Sequence, residues 1–249
     1  MNKKLWSKKP KNITSEIESL LSGEDILLDQ KLFLLDIKAS FAHTNELLAI
    51  NILTKSEANK IKKQLRILEK KYINNTFKLN SDYEDSHSAI ELFLTDELGA
   101  IGAKIHTGRS RNDQVLVALR LYAREALEQL RDINIDISES LLKQADHNKN
   151  LVLPGYTHMQ KAMASSWGLW FSSFAESFLD NIDLINHTHS WININPLGSA
   201  AGYGVNLPIK RDISTSELGF RRKQLNSLYV QNSRGKFELQ VIETLTQSM

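Results

Sequence analysis

The chain has 249 residues, no cysteine, 31 Lys and Arg against 29 Asp and Glu, and only 11 glycines and 4 prolines. These counts exclude disulfides and Cys-ligated metals, they lack the basic excess of nucleic-acid-binding proteins, and they contain too few turn residues for a β-sandwich or barrel. Because no apolar run is long enough for a membrane span or a signal peptide, we expect a cytoplasmic, mostly helical protein that binds neither nucleic acid nor membranes.

The chain begins with a Lys-rich stretch over residues 1–12, which we interpret as a solvated basic arm. The first helix is predicted near residues 29–50, because apolar residues recur there at helical spacing. This stripe consists of Leu32, Leu35, Ala39, Ala42 and Leu47.

Two further helices are predicted from their end signals. Thr54 and Glu57 fit a capping box, which predicts a helix from there to about Tyr72. Another helix is predicted over about 85–98, because Gly99 is suited to end it.

Two much longer apolar stripes follow. The first spans residues 115–141 at spacings of three and four without Pro or Gly, so it predicts a rod of about 35 residues and roughly 50 Å. The second spans 163–185, is rich in aromatic residues that we expect in a core, and contains Gly168. Rods of this length indicate a helical bundle shared between subunits. Residues 195–208 are predicted as a turn, and a last helical stripe begins at Phe237.

The first candidate site is the polar segment 105–114, which leads directly into the first long helix. Ser110 or Asn112 is suited to cap that helix. Free N–H groups, the helix dipole and the side chains of Arg109 and Arg111 would then form an anion site. The structural alternative is a solvated cap whose arginines pair with nearby glutamates.

The second candidate is the segment 154–161, predicted as a loop before the second long helix. His158 has the pKa range of a general acid or base, and Thr157 can donate a hydrogen bond to a substrate. The alternative is a histidine that satisfies a backbone group at a helix end.

The third candidate is the acidic segment 82–88, which suits a helix N-terminus. His87 and Glu91 are four residues apart, which is compatible with a surface pair or with a substrate contact. His43 and His147 each stand alone, so no metal site is predicted.

Together these segments resemble a known family. His-Thr-Gly-Arg-Ser-Arg-Asn-Asp-Gln (106–114), Pro-Gly-Tyr-Thr-His-Met-Gln (154–160) and Glu-Asp-Ser-His (84–87) are similar to blocks of the argininosuccinate lyases. The resemblance implies an all-α long-helix bundle of the fumarase/aspartase type, with a smaller N-terminal helical domain over 1–105 and the bundle domain over 106–249. It also implies a homotetramer that cleaves argininosuccinate to arginine and fumarate by β-elimination, without a metal or organic cofactor.

The resemblance also implies roles for individual residues. His158 matches the catalytic histidine, as acid or as base, and Thr157 matches a substrate contact. The block that grips the succinyl carboxylates corresponds to Ser110, Arg111 and Asn112. His87 matches a histidine near the site, and Asp25 stands where the family has a serine that touches substrate.

One family block has no counterpart in this chain. The third block, roughly G-S-S-x-M-P-x-K-x-N-P, carries a serine favoured as the proton-abstracting base, but the prolines lie only at Pro10, Pro154, Pro196 and Pro208, and none follows Met. We therefore expect an N-terminal portion of such a lyase, without the C-terminal domain and with negligible activity alone. The alternatives are a non-catalytic, structural or oligomerising protein on this fold, and a related lyase that acts on another succinyl adduct.

Overall fold

The computed structural model describes residues 25–80 and 83–248, with Asp25 described by its backbone only. The basic arm predicted over 1–12 lies outside the described residues. The described chain forms two compact units: one contains residues up to 122 together with 193–234, and the other contains 123–192 together with the residues from 235 onward. The domain boundary near residue 105 stays a prediction.

The fold is all-α, as the sequence predicted, except for two small sheets that it did not predict. In chain order, the elements are α1 (Asp25–Asp29), α2 (Phe33–Ala49), α3 (Lys55–Ile73), α4 (Ser86–Leu98), α5 (Ala100–Ala103), a 3-10 turn (Lys104–His106), α6 (Arg111–His147), β1 (Val152–Thr157), β2 (Gln160–Ser166), α7 (Trp167–Ile192), β3 (Ile194–Asn195), α8 (Arg211–Glu217), β4 (Arg222–Lys223), α9 (Ser227–Asn232) and α10 (Lys236–Gln247). None of these described helices combines the length and apolar character needed to cross a membrane.

Two predicted helix ends in the first unit are confirmed in detail. Thr54 caps α3 by accepting a hydrogen bond from the N–H of Glu57, whose side chain in turn accepts from the N–H of Thr54. Gly99 ends α4 with φ of 59°, a left-handed value that favours glycine.

Helix α2 lies at the centre of the first unit, because it buries two faces. The predicted stripe packs against the start of α6 and the segment after β3, in a cluster of Leu32, Leu35, Ala39, Ala42, Val117, Ala118, Leu121, Leu197, Leu218 and Phe220. The opposite face, which contains Phe33 and Ile37, packs against α3 and α4. The two faces thus join the two halves of this unit.

The second unit contains the part of α6 from residue 123 onward, a hairpin and α7. Helix α6 has 37 residues, close to the predicted 35. The prediction of a loop at 154–161 is wrong, because this segment lies in a β-hairpin. Strands β1 and β2 pair antiparallel, with Thr157 opposite Gln160. The segment lacks the Asn-Gly or Asp-Gly turn that signals a hairpin in a sequence. Consequently α7 begins at Trp167, and Met163 lies on β2.

The aromatic stripe of α7 is not a core within this chain. Trp167, Trp170 and Phe174 are between 38% and 44% exposed, whereas Ile185 is buried. One chain thus covers this stripe only in part, and its burial in a bundle shared between subunits stays a prediction. Gly168 has a packing reason: a Cβ there would lie 2.7 Å from Cα of Lys149. This close approach offsets the roughly 1 kcal/mol that glycine costs within a helix.

Candidate active site

The N-terminus of α6 presents three of the predicted site residues. Ser110 precedes the helix, and its Oγ accepts a hydrogen bond from the N–H of Asn112 at 3.3 Å. The N–H of Ser110 donates to Oδ1 of Asp113 at 2.9 Å. This reciprocal arrangement resembles a capping box, and it confirms that Ser110 caps the helix. It holds Ser110, Arg111 and Asn112 at the positive end of the helix dipole.

Arg111 is paired with two carboxylates at the start of α4. Its Nη1 lies 2.5 Å from Oε1 of Glu84 and 3.1 Å from Oδ2 of Asp85, and its Nη2 donates to Oε2 of Glu84 at 3.1 Å. Burial opposes the guanidinium charge, but the two carboxylates outweigh it and raise the pKa of Arg111. Arg111 therefore pairs with a nearby glutamate, as the alternative interpretation of this segment predicted. The same contacts show that its guanidinium can bind a carboxylate through two nitrogens.

His87 lies beside this pair, in the first turn of α4, and is buried. Its Nδ1 is 3.3 Å from Oδ1 of Asp36 on α2. Burial, followed by the charges of Arg109 and Arg111, lowers the pKa of His87 to about 3. The surface pair of His87 with Glu91 is not formed, since Glu91 lies 3.4 Å from Nδ1 of His106 instead.

A small cavity of about 10 Å³ lies against His87. Its other lining residues are Ser40, Ile90, Glu91, Ile105, His106, Arg109 and Gln114. Arg109 is 7% exposed and donates from Nη1 to Oγ of Ser40 at 3.1 Å. Arg109 is therefore a buried cation of the first unit's polar core, whereas Arg111 is half-buried.

His43 belongs to the same polar core, which corrects the prediction that it stands alone. Its Nδ1 lies 3.1 Å from Oε2 of Glu46, and its Nε2 lies 2.9 Å from the carbonyl of Thr107. Burial lowers the pKa of His43. The His43 ring therefore links α2 to the segment that precedes α6.

Thr157 and His158 belong to the second unit, at the tip of the hairpin. His158 and Met159 form its two-residue turn with φ of 51° and 62°. Both residues are exposed. Left-handed backbone at two consecutive non-glycine residues is strained, and such strain is characteristic of functional sites.

The structure thus brings together four of the predicted site residues, namely Ser110, Arg111, Asn112 and His87, in the first unit. It places Thr157 and His158 in the other unit. Asp25 begins α1, but its side chain lies outside the described residues. Sequence reasoning missed Asp36 as the partner of His87. The signal was a carboxylate within the apolar run Phe33-Leu34-Leu35-Asp36-Ile37, where an unpaired charge is costly.

Residues 18–237 match a family described as Lyase. The chain belongs to this lyase family. Argininosuccinate lyases are among the relatives of this family member: one from Xylella fastidiosa is 50% identical over 241 residues, covering 97% of this chain and 54% of the relative. Another, from Stenotrophomonas maltophilia, is 46% identical and is covered over 56% of its length. The chain therefore spans about half the length of the curated relatives it matches.

Solved structures confirm the fold of this chain. An EDDS lyase variant with bound fumarate and an EDDS lyase in complex with formate each give a TM-score of 0.78 at 24% identity, covering 90% of this chain and 46% of theirs. The fumarase/aspartase-type fold is thus confirmed. Within 25–80 and 83–248, no group of three or more His, Asp or Glu residues is arranged to hold a metal ion.

Proposed function

We propose that this chain serves the β-elimination of argininosuccinate to arginine and fumarate. The observation that carries the proposal is the position of Arg111 at the N-terminus of the 37-residue helix α6, flanked by Ser110 and Asn112. A guanidinium, a helix N-terminus and two small polar side chains together suit a dicarboxylate. The argininosuccinate lyases among the relatives of this chain support the choice of substrate.

The reaction needs positive potential close to a carboxylate. A base removes the proton from the carbon next to that carboxylate, and electron density moves onto its oxygens. The C–N bond then breaks, the C=C bond of fumarate forms, and an acid protonates the departing guanidinium nitrogen. Arg111 and the positive end of the α6 dipole are suited to stabilise the developing negative charge, which is the usual source of the largest catalytic effect.

In the absence of substrate, the guanidinium of Arg111 forms ion pairs with Glu84 and Asp85. A substrate carboxylate would therefore exchange for, or share, these contacts. Such an exchange limits the cost of binding, because the buried part of Arg111 is charge-paired in both states. It also keeps the guanidinium in place, which lowers the entropy lost on binding.

His158 is proposed as a general acid or base in this reaction, with Thr157 beside it as a substrate contact. Its exposed position at the hairpin tip is compatible with presenting the ring to a ligand bound elsewhere in an assembly. Asp25 is proposed to face the guanidinium of the substrate, because opposite charges attract. No metal and no organic cofactor enters this scheme.

We further propose a homotetramer in the cytoplasm. The second unit supports assembly, because its helices carry apolar side chains on exposed faces: Trp167, Leu169, Trp170, Phe174 and Leu179 on α7, and Leu239, Ile242 and Leu245 on α10. Faces of this kind mark protein–protein contacts. The bundle domain over 106–249 and the smaller domain over 1–105 remain the proposed division of the chain.

A chimeric lyase tests the proposed activity. This chain is joined to the part of the Xylella fastidiosa relative beyond the matched region, and fumarate release from argininosuccinate is measured. We expect turnover by the chimera and negligible turnover by the 249-residue chain alone, since the chain lacks the third block. The Arg111→Met chimera should lose activity, whereas Arg222→Met should retain it.

Two results would contradict this proposal. A folded chimera that releases no fumarate, beside an active relative as control, favours a non-catalytic or oligomerising role. Release of fumarate only from a different succinyl adduct favours a related lyase. Native mass spectrometry of the same chimera tests the homotetramer.

A further inference from the structure

Asp36 is an acidic side chain buried in the first turn of α2, where it is only 1% exposed. Its Oδ2 accepts a hydrogen bond from Oγ of Ser86, and its Oδ1 lies 3.3 Å from Nδ1 of His87. Neither Oδ1 of Asp36 nor Nδ1 of His87 has a hydrogen-bond partner within the described chain, although the two atoms face each other at 3.3 Å. Each of these two atoms is therefore available only to the other.

Burial favours the uncharged form of both groups. Desolvation raises the pKa of Asp36 well above its usual range, against the opposing effects of Ser86 and Arg109. Desolvation also lowers the pKa of His87. The other charged or titratable groups that act on this pair are Asp29 and Asp85, near Asp36, and Arg111 and His106, near His87. A neutral acid beside a neutral imidazole leaves one proton between Oδ1 and Nδ1.

We propose that Asp36 is a positioning residue: its protonated carboxyl donates from Oδ1 to Nδ1 of His87 and holds the ring in the tautomer protonated on Nε2. Ser86 donates to the other oxygen, so the acid proton lies on Oδ1. Because the two ring nitrogens point in different directions, Nε2–H is directed away from Asp36. The ring then presents a hydrogen-bond donor, which is the group that a carboxylate ligand accepts from.

The effect of this tautomer on ligand binding rests on the proposed function, in which His87 faces a succinyl carboxylate. The tautomer itself does not depend on the reaction. A histidine held in the opposite tautomer would present a lone pair at Nε2 and would repel a carboxylate. Asp36 therefore decides whether His87 attracts or repels that kind of ligand.

The test measures the NMR chemical shifts of Nδ1 and Nε2 of His87 in the 249-residue chain labelled with ¹⁵N-histidine. The His87 signals are assigned as those that disappear in the His87→Gln variant. We expect the Nε2–H tautomer, without titration between about pH 5 and 8, although a free histidine titrates near 6.5. Asp36→Asn should keep this tautomer, because its amide can donate to Nδ1 while its carbonyl accepts from Ser86. Asp36→Leu has a similar volume and no donor, so a mixture of tautomers is expected.

Three results would overturn the proposal: a wild-type ring protonated on Nδ1, a change to the Nδ1–H tautomer in Asp36→Asn, or an unmixed Nε2–H tautomer in Asp36→Leu. If Asp36→Leu does not fold, the wild type and Asp36→Asn decide alone. Fumarate, added as the probe, should shift the Nε2 resonance in both. If it shifts neither while the tautomers are as expected, the proposed function fails at His87, and the role of Asp36 stands.

Discussion

The carboxylate of Asp113, in the first turn of α6, accepts hydrogen bonds at Oδ2 from the N–H groups of Gly198 and Ala200, each at 2.9 Å. Its Oδ1 accepts from the N–H of Ser110. Asp113 is completely buried. One side chain thus ties the segment that carries Ser110 and Arg111 to the turn that follows β3.

We expect Asp113→Asn to destabilise the first unit by about 2–4 kcal/mol, because an amide N–H₂ would face N–H donors and leave buried groups unpaired. Urea unfolding followed by circular dichroism measures this change. Asp132→Asn on the exposed face of α6 is the matched control and should cost less than about 0.5 kcal/mol. Equal midpoints for the two variants would contradict the assigned role of Asp113.

Arg211 stabilises the same turn by donating hydrogen bonds to its backbone carbonyl groups. Its three guanidinium nitrogens donate to the carbonyls of Leu197 and Gln224 at 2.7 Å and of Asn195 at 3.0 Å. A lysine ammonium cannot reach all three, so Arg211→Lys should cost about 2–4 kcal/mol in the free energy of unfolding. The exposed Arg222→Lys is the control. A loss no larger than that of the control would show that the three contacts are not needed.

The hairpin tip stores backbone strain at Met159, with φ of 62°. Because glycine adopts this conformation freely, Met159→Gly should stabilise the hairpin by about 1 kcal/mol. Amide hydrogen exchange of the strands β1 and β2 measures this local stability. Met163→Gly, in the extended part of β2, should instead speed exchange. Faster exchange in Met159→Gly would rule out strain at the tip.

Glu57 makes stability depend on acid pH. The hydrogen bond from Lys104, followed by those from Thr54, lowers the pKa of Glu57 from 4.5 to about 2. A depressed folded-state pKa stabilises the fold above the unfolded value, and this contribution is lost as the pH falls from about 4.5 towards about 2. The unfolding free energy of Glu57→Gln should therefore fall less steeply over this window. Glu69→Gln should follow the wild type; coincident slopes for wild type and Glu57→Gln would contradict the assignment.

His158→Asn in the chimeric lyase should lower kcat by about 10²–10⁴, the range for loss of general acid–base catalysis. His147→Asn, at the exposed end of α6, is the control and should leave kcat unchanged. Fumarate release under substrate saturation measures both. An unaltered kcat in His158→Asn would remove this residue from the mechanism.

The local sequence predicted the helices well, since each depends on neighbouring residues. The capping box at Thr54, the end at Gly99 and the length of α6 all follow from spacing and end signals. The hairpin was missed because His158 and Met159 are not typical turn residues. Periodicity reveals the apolar face of α7 but does not reveal what covers it, and one chain leaves Trp167, Trp170 and Phe174 partly exposed.

The sequence by itself determined the fold class, the ends of α3 and α4 and the segments that bear the chemistry, because periodicity, capping and short motifs are local. The tertiary structure alone decided the partners of the buried polar groups: Asp36 with His87, Asp113 with Gly198, and Arg211 with three carbonyls. These pairings join residues distant in the chain, and each depends on which segments pack together. Since a buried polar group is costly unless it is paired, the packing of α2, α4 and α6 decides which polar groups pair and how the site residues are oriented.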